Sequence, residues 1–95
     1  MPYIKQEHRE RWQGVMQEFR GVLQSHKDDI SVGDINYILT SLLNQYLLSI
    51  KINYEKLNGV MGVLASIKHE FYRRVIAPYE DKKKEENGEV FDGII

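Results

Sequence analysis

The sequence predicts an all-α fold: a compact bundle of three helices, the third long and interrupted at Pro78, with a short extended C-terminal tail. Two observations lead to this. Three stretches carry apolar residues at three-and-four spacing, which gathers them on one face of a helix. Polar or turn-forming clusters separate those stretches, at Lys27-Asp-Asp29, Ser31-Val-Gly-Asp34 and Asn87-Gly88.

The first helix is expected from about Gln6 to about His26. Trp12, Val15, Met16, Phe19, Val22 and Leu23 form its apolar face, while Glu10, Gln13, Gln17, Arg20 and Gln24 point to solvent. Ser31 with Asp34 three residues later resembles a capping box and opens the second helix, although the usual third residue is Glu or Gln. Ile35, Ile38, Leu39, Leu42, Leu43, Tyr46, Leu47 and Ile50 continue it as an unbroken apolar stripe, flanked by Asn36, Tyr37, Thr40, Ser41 and Asn44.

The third helix is expected to start near Asn53 or Tyr54, with Leu57, Val60, Met61, Leu64, Ile67, Phe71 and Val75 on its apolar face. Gly59 and Gly62 each cost such a helix about 1 kcal/mol relative to alanine. With Ala65 and Ser66 they form a ridge of small residues that suits close helix–helix packing. Pro78 either kinks this helix or opens a short new one as its first residue. Glu80–Glu86 can continue as a charged, solvated helix, and Asn87-Gly88 is a stop signal. Glu89–Ile95 is read as a tail that docks on the core or on another subunit.

Ninety-five residues at 42% hydrophobic and 28% charged make residues 1–95 one domain with one core, and a homo-oligomer is the expectation for helices of this length. Cysteine is absent, which excludes disulfides, thiolate metal sites and cysteine nucleophiles and fits a reducing compartment. The N-terminal residues lack the apolar run of a signal peptide, and no apolar stretch approaches the ~20 residues needed to cross a bilayer. A cytoplasmic protein is therefore expected. A formal net charge of −1 argues against generic nucleic-acid binding.

His8, His26 and His69 fall on separate predicted segments and form no close ligand pair, so no metal site or cofactor is expected. Neither a GxSxG nucleophile turn nor a GxxxxGK[ST] phosphate loop occurs. The segment from Glu70 to Asn87 stands out instead. Arg73, Arg74, Lys82, Lys83 and Lys84 are interleaved there with Tyr72 and Tyr79, a combination that suits phosphate and base recognition. The same residues can also be a solvated helix face, with Glu70–Arg74 and Glu80–Lys84 as i,i+4 ion pairs. Adjacent arginines point about 100° apart on a helix, so a phosphate pocket needs a second helix. Asn36 and Tyr37, beside the free N–H groups at the start of the second helix, are candidates to complete it.

Gly33-Asp-Ile-Asn-Tyr-Ile38, Leu57-Asn-Gly-Val-Met-Gly-Val-Leu64, Glu70-Phe-Tyr-Arg-Arg-Val-Ile-Ala-Pro-Tyr-Glu-Asp-Lys82 and Glu86-Asn-Gly-Glu-Val90 together resemble a family of small phage and bacterial proteins, a domain of unknown function. The opening Pro2-Tyr-Ile4 fits as well, so the resemblance covers most of the chain. It implies a compact helical protein, often phage-borne, acting inside a bacterial cell. Small phage proteins of this size include oligomers that sequester nucleotide signals of host immunity, an analogy of size and context.

The leading expectation is thus a non-enzymatic protein that captures a small phosphorylated or nucleotide ligand between helices or subunits. Arg73, Arg74 and Lys83 would hold phosphates, Tyr72 and Tyr79 would stack or cap, and Asn36 or Asn87 would read polar edges. A protein–protein adaptor or inhibitor acting on a host or phage protein is the alternative. A small acid/base enzyme using Glu70, Glu80 or Asp81 is the third reading, and an acid role there would require burial.

Overall fold

Every regular element in the computed structural model, which describes residues 3–91, 93 and 94, is helical. Pro2 of the opening motif and Asp92 and Ile95 of the tail lie outside the described residues. Three helices are present: α1 (Gln6–Ser25), α2 (Val32–Leu48) and a third, 34-residue helix. The third consists of α3 (Tyr54–Phe71), a π-helical turn (Tyr72–Ile76) and α4 (Ala77–Asn87).

Helix α1 has no side-chain N-cap; the Arg9 Nε instead donates to the Ile4 carbonyl at 2.8 Å, tying the entering chain to the first turn. Helix α2 starts on a complete capping box. Asp34 N–H donates to Ser31 Oγ at 3.1 Å and Ser31 N–H donates to Asp34 Oδ2 at 2.8 Å, so aspartate fills the place usually taken by Glu. Hydrogen bonds from the Ser31 backbone N–H and, second, from the Ser31 hydroxyl to its carboxylate hold Asp34 below the ordinary aspartate pKa. The apolar stripe of α2 reaches Ile50, but the helix ends at Leu48. Ser49 explains the early stop: its N–H (3.0 Å) and its Oγ–H (2.6 Å) both donate to the Tyr46 carbonyl, tightening the last turn.

At Pro78 the third helix runs on through a π-helical turn, and α4 follows with the proline in its first turn. Proline has no N–H, and its ring collides with the carbonyl four residues back, here that of Arg74. The chain accommodates this by widening one turn: Ala77 N–H donates to the Tyr72 carbonyl, five residues back. Ala77 itself remains helical at φ −60°, ψ −47°, against the usual preference of a residue before proline. The helix ends where Asn87-Gly88 predicts. Gly88 has φ 96° and ψ 154°, a conformation open in practice only to glycine, and its N–H closes the helix on the Lys84 carbonyl at 2.8 Å.

The chain divides into two units, residues 3–54 and Glu55 onward. In the first, Leu23, Ile30 and Ile38 are half-buried around a depression of about 290 Å³ between the end of α1 and the start of α2. The second comprises nearly all of the long helix and the tail. Among the described residues no side chain is buried, so the core implied by the three apolar stripes is not enclosed within either unit. One pair of helices, or one helix and a tail, provides too few layers to enclose a core. Trp12, Val15, Met16 and Val22 on α1, Leu39 and Leu42 on α2, and Leu57, Met61, Leu64, Ile67 and Phe71 on α3 are all exposed. No helix among the described residues is long and apolar enough to cross a membrane.

Candidate functional site

The second unit builds a groove of about 420 Å³ between one side of α4 and the tail that folds back beside it. Ala77, Glu80, Asp81, Lys84 and Asn87 follow three-and-four spacing and so share the face of α4 that forms one wall. Lys83 borders that face, Tyr72 reaches in from the π turn, and Gly88–Phe91 forms the opposite wall.

The π turn determines where Tyr72 points. In an uninterrupted α-helix, residues eight apart differ by about 80° around the axis, so Tyr72 and Glu80 would lie on different faces. One inserted residue makes the eight-residue step behave as a seven-residue step, within about 20° of facing. The Tyr72 hydroxyl donates to the Glu80 carboxylate. That bond and the negative charges of Glu80 and, more weakly, Asp81 push the Tyr72 phenol above its ordinary pKa.

The tail is held by Glu89. Its Oε1 accepts from Val90 N–H at 2.9 Å and Phe91 N–H at 2.8 Å, and its Oε2 lies 3.6 Å from Lys84 Nζ. The Phe91 and Val90 N–H groups, with Lys84, hold Glu89 below the ordinary glutamate pKa. The left-handed Gly88 turn is what brings Glu89 back to Lys84.

Of the residues singled out by the sequence, Tyr72, Lys83 and Asn87 line this groove; Arg73, Arg74 and Tyr79 do not. Arg73, 63% exposed at its side chain, donates through Nη2 to both Glu70 oxygens at 3.0 and 3.2 Å. The expected i,i+4 pairing of Glu70 with Arg74 is thus replaced by an i,i+3 pairing with Arg73, a spacing that is equally a neighbour on the helix surface. Arg74 has no hydrogen bond or ion pair among the described residues. Tyr79 lies beneath Lys83, whose Nζ is 5.6 Å from the ring centre and 3.3 Å from Glu86 Oε2. The expected Glu80–Lys84 pair is also replaced. Glu80 accepts from Tyr72, and Lys84 turns to Glu89, because the tail supplies a carboxylate that helix spacing alone does not reveal.

Asn36 and Tyr37 belong to the other unit. The Asn36 Oδ1 accepts from Thr40 Oγ1 at 3.1 Å, and Tyr37, 74% exposed, borders the α1–α2 depression. Sequence reasoning did not select Ala77, Lys84, Gly88, Glu89, Val90 or Phe91 as groove residues. The stop at Asn87-Gly88 was the available signal, because a chain that reverses there lies against the helix it has just left. No group of three or more histidine, aspartate or glutamate residues among the described residues is placed to hold a metal ion.

The chain belongs to a family described as a domain of unknown function (DUF6899), which matches residues 1–90. No curated protein and no solved structure matches it.

Proposed function

We propose that this member of the family is a non-enzymatic binding protein whose recognition site is the groove between α4 and the tail. The observation that carries this reading is the meeting of Tyr72, Lys83 and Asn87 in one groove within a single unit. A volume of about 420 Å³ suits a small organic ligand, and the walls combine apolar surface with a few polar groups, as ligand sites do. Apart from half-buried Ala77 the residues lining it are exposed, and none of its acids or bases is buried as catalysis would favour.

A phosphorylated or nucleotide ligand, in the setting of a phage protein that sequesters a signalling nucleotide, is one form of this reading. It rests on Lys83, Lys84 and Tyr72, since Arg73 and Arg74 stay off the groove. Calorimetric titration with a panel of linear and cyclic nucleotides and small aromatic ions tests the reading. Saturable binding that Tyr72→Ala and Asn87→Ala weaken supports it; a folded protein that binds nothing refutes it.

The open apolar faces favour a second reading, an adaptor or inhibitor whose helices bury those faces on a protein surface, including that of another copy. Sedimentation of the purified chain across a hundredfold concentration range, alone and with bacterial lysate fractions, tests it. A monodisperse monomer that captures no partner refutes it.

A further inference from the structure

The groove described above carries an electrostatic asymmetry that narrows its ligand class. Five charged side chains border it: the carboxylates of Glu80, Asp81 and Glu89, and the ammonium groups of Lys83 and Lys84. Their engagement is unequal. Lys84 is spent on Glu89 at 3.6 Å, and Lys83 on Glu86 at 3.3 Å and on the Tyr79 ring. Glu89 in turn receives Lys84 and two backbone N–H groups.

The other two carboxylates form no ion pair among the described residues. Glu80 receives the Tyr72 hydroxyl, a neutral donor, and Asp81 has no hydrogen bond or ion pair among the described residues. Both line the groove together with Tyr72 and lend that wall negative potential. The tail wall is apolar and aromatic, with Val90 and Phe91 both widely exposed.

We propose that the groove binds a small organic cation, an aromatic or aliphatic amine, rather than a phosphate. The ammonium sits beside the Tyr72 hydroxyl oxygen, with Glu80 and Asp81 as counter-charges, and the apolar body lies along Val90 and Phe91. An ammonium has three donors and no acceptor, which suits a wall that carries carboxylate and phenol oxygens. The Tyr72 ring adds attraction for a cation that neutral or anionic ligands do not gain. A phosphate in the same place would meet these two carboxylates and would have to displace Glu86 and Glu89 from the lysines.

This inference rests on the groove being a ligand site, and its test separates the two claims. The full chain is titrated with phenethylamine, 2-phenylethanol and phenyl phosphate, three probes of similar ring size carrying positive, zero and negative charge. Binding is read by calorimetry and by chemical-shift changes at Tyr72, Asp81 and Phe91. Phenethylamine is expected to bind best, and Asp81→Asn, a change at an exposed side chain, is expected to weaken it about tenfold. Raising the salt concentration should weaken it further, because these charges face solvent. Phenyl phosphate binding in the groove more tightly than phenethylamine overturns the cation assignment and leaves the groove as a ligand site. Equal binding of all three, or an Asp81→Asn variant that binds phenethylamine unchanged, also overturns it. No shift at these residues with any probe, in a chain whose helical circular dichroism is intact, overturns both.

Discussion

Replacing Pro78 with alanine tests the link between the π turn and the groove. Alanine restores an N–H at position 78 and removes the ring from the Arg74 carbonyl, so the helix can return to regular i→i−4 bonding. Proline in a helix interior costs about 3 kcal/mol relative to alanine, and the π turn has already relieved part of the ring clash. A gain of about 1–2 kcal/mol is therefore expected, which for a chain of this size raises Tm by roughly 4–15 °C. The gain brings a rotation. Without the inserted residue Tyr72 moves from within about 20° of the Glu80 face to about 80° away, too far to donate to that carboxylate. The Tyr72 phenol, now held above its ordinary value of 10.0, should return toward it. Thermal denaturation followed by circular dichroism gives the first quantity. Ultraviolet tyrosinate titration, with Tyr72→Phe as the subtraction control, gives the second. A Pro78→Ala variant with unchanged Tm and unchanged Tyr72 titration would show that proline does not cause the π turn.

Ser31→Ala removes one arm of the capping box and should destabilise the chain by about 1 kcal/mol in urea denaturation. The other arm is pH-dependent. Asp34 has a depressed folded pKa, so its contribution is present above the ordinary value of 3.8 and is lost as pH falls through the lower folded value; Asp34→Asn should flatten that acid limb. Gly88→Ala places a side chain at φ 96° and ψ 154° and should cost about 1–3 kcal/mol locally, seen as faster amide exchange at Val90 and Phe91 with α1 and α2 unaffected. Gly59→Ala and Gly62→Ala add a Cβ that meets no described atom within 4 Å, so each should stabilise α3 by about 1 kcal/mol; a loss instead would reveal a surface packed against that ridge.

What the sequence disclosed was local. Ser31 with Asp34, the start of the third helix at Tyr54 and the stop at Asn87-Gly88 are each encoded within a few residues, and each is where spacing and residue type place it. The end of α2 at Leu48 is not legible in the apolar rhythm, because Ile50 continues that rhythm while Ser49 redirects the backbone. Ion pairs were harder still. Helix spacing couples Glu80 with Lys84, but the partners actually taken, Tyr72 and Glu89, come from a widened turn and from a reversed tail. Residue type draws attention to the Glu70–Asn87 segment without separating Tyr72, Lys83 and Asn87, which line the groove, from Arg73, Arg74 and Tyr79, which do not, because that separation depends on helical phase. The packing of the three apolar stripes depends on which surfaces meet, and periodicity within one helix does not encode that.

The tail wall of the groove gives ligand binding and chain order a common free energy. Ordering each residue of a segment such as Gly88–Phe91 costs about 1–2 kcal/mol of backbone entropy, and here the carboxylate of Glu89, the ammonium of Lys84 and the freedom of Gly88 together offset that cost. A ligand touching both walls favours the docked tail, and by reciprocity anything that docks the tail raises affinity for that ligand by the same factor. Protonation of Glu89, cleavage after Gly88 and a protein that seizes the tail are then competitors of the ligand, because each releases the wall on which it rests.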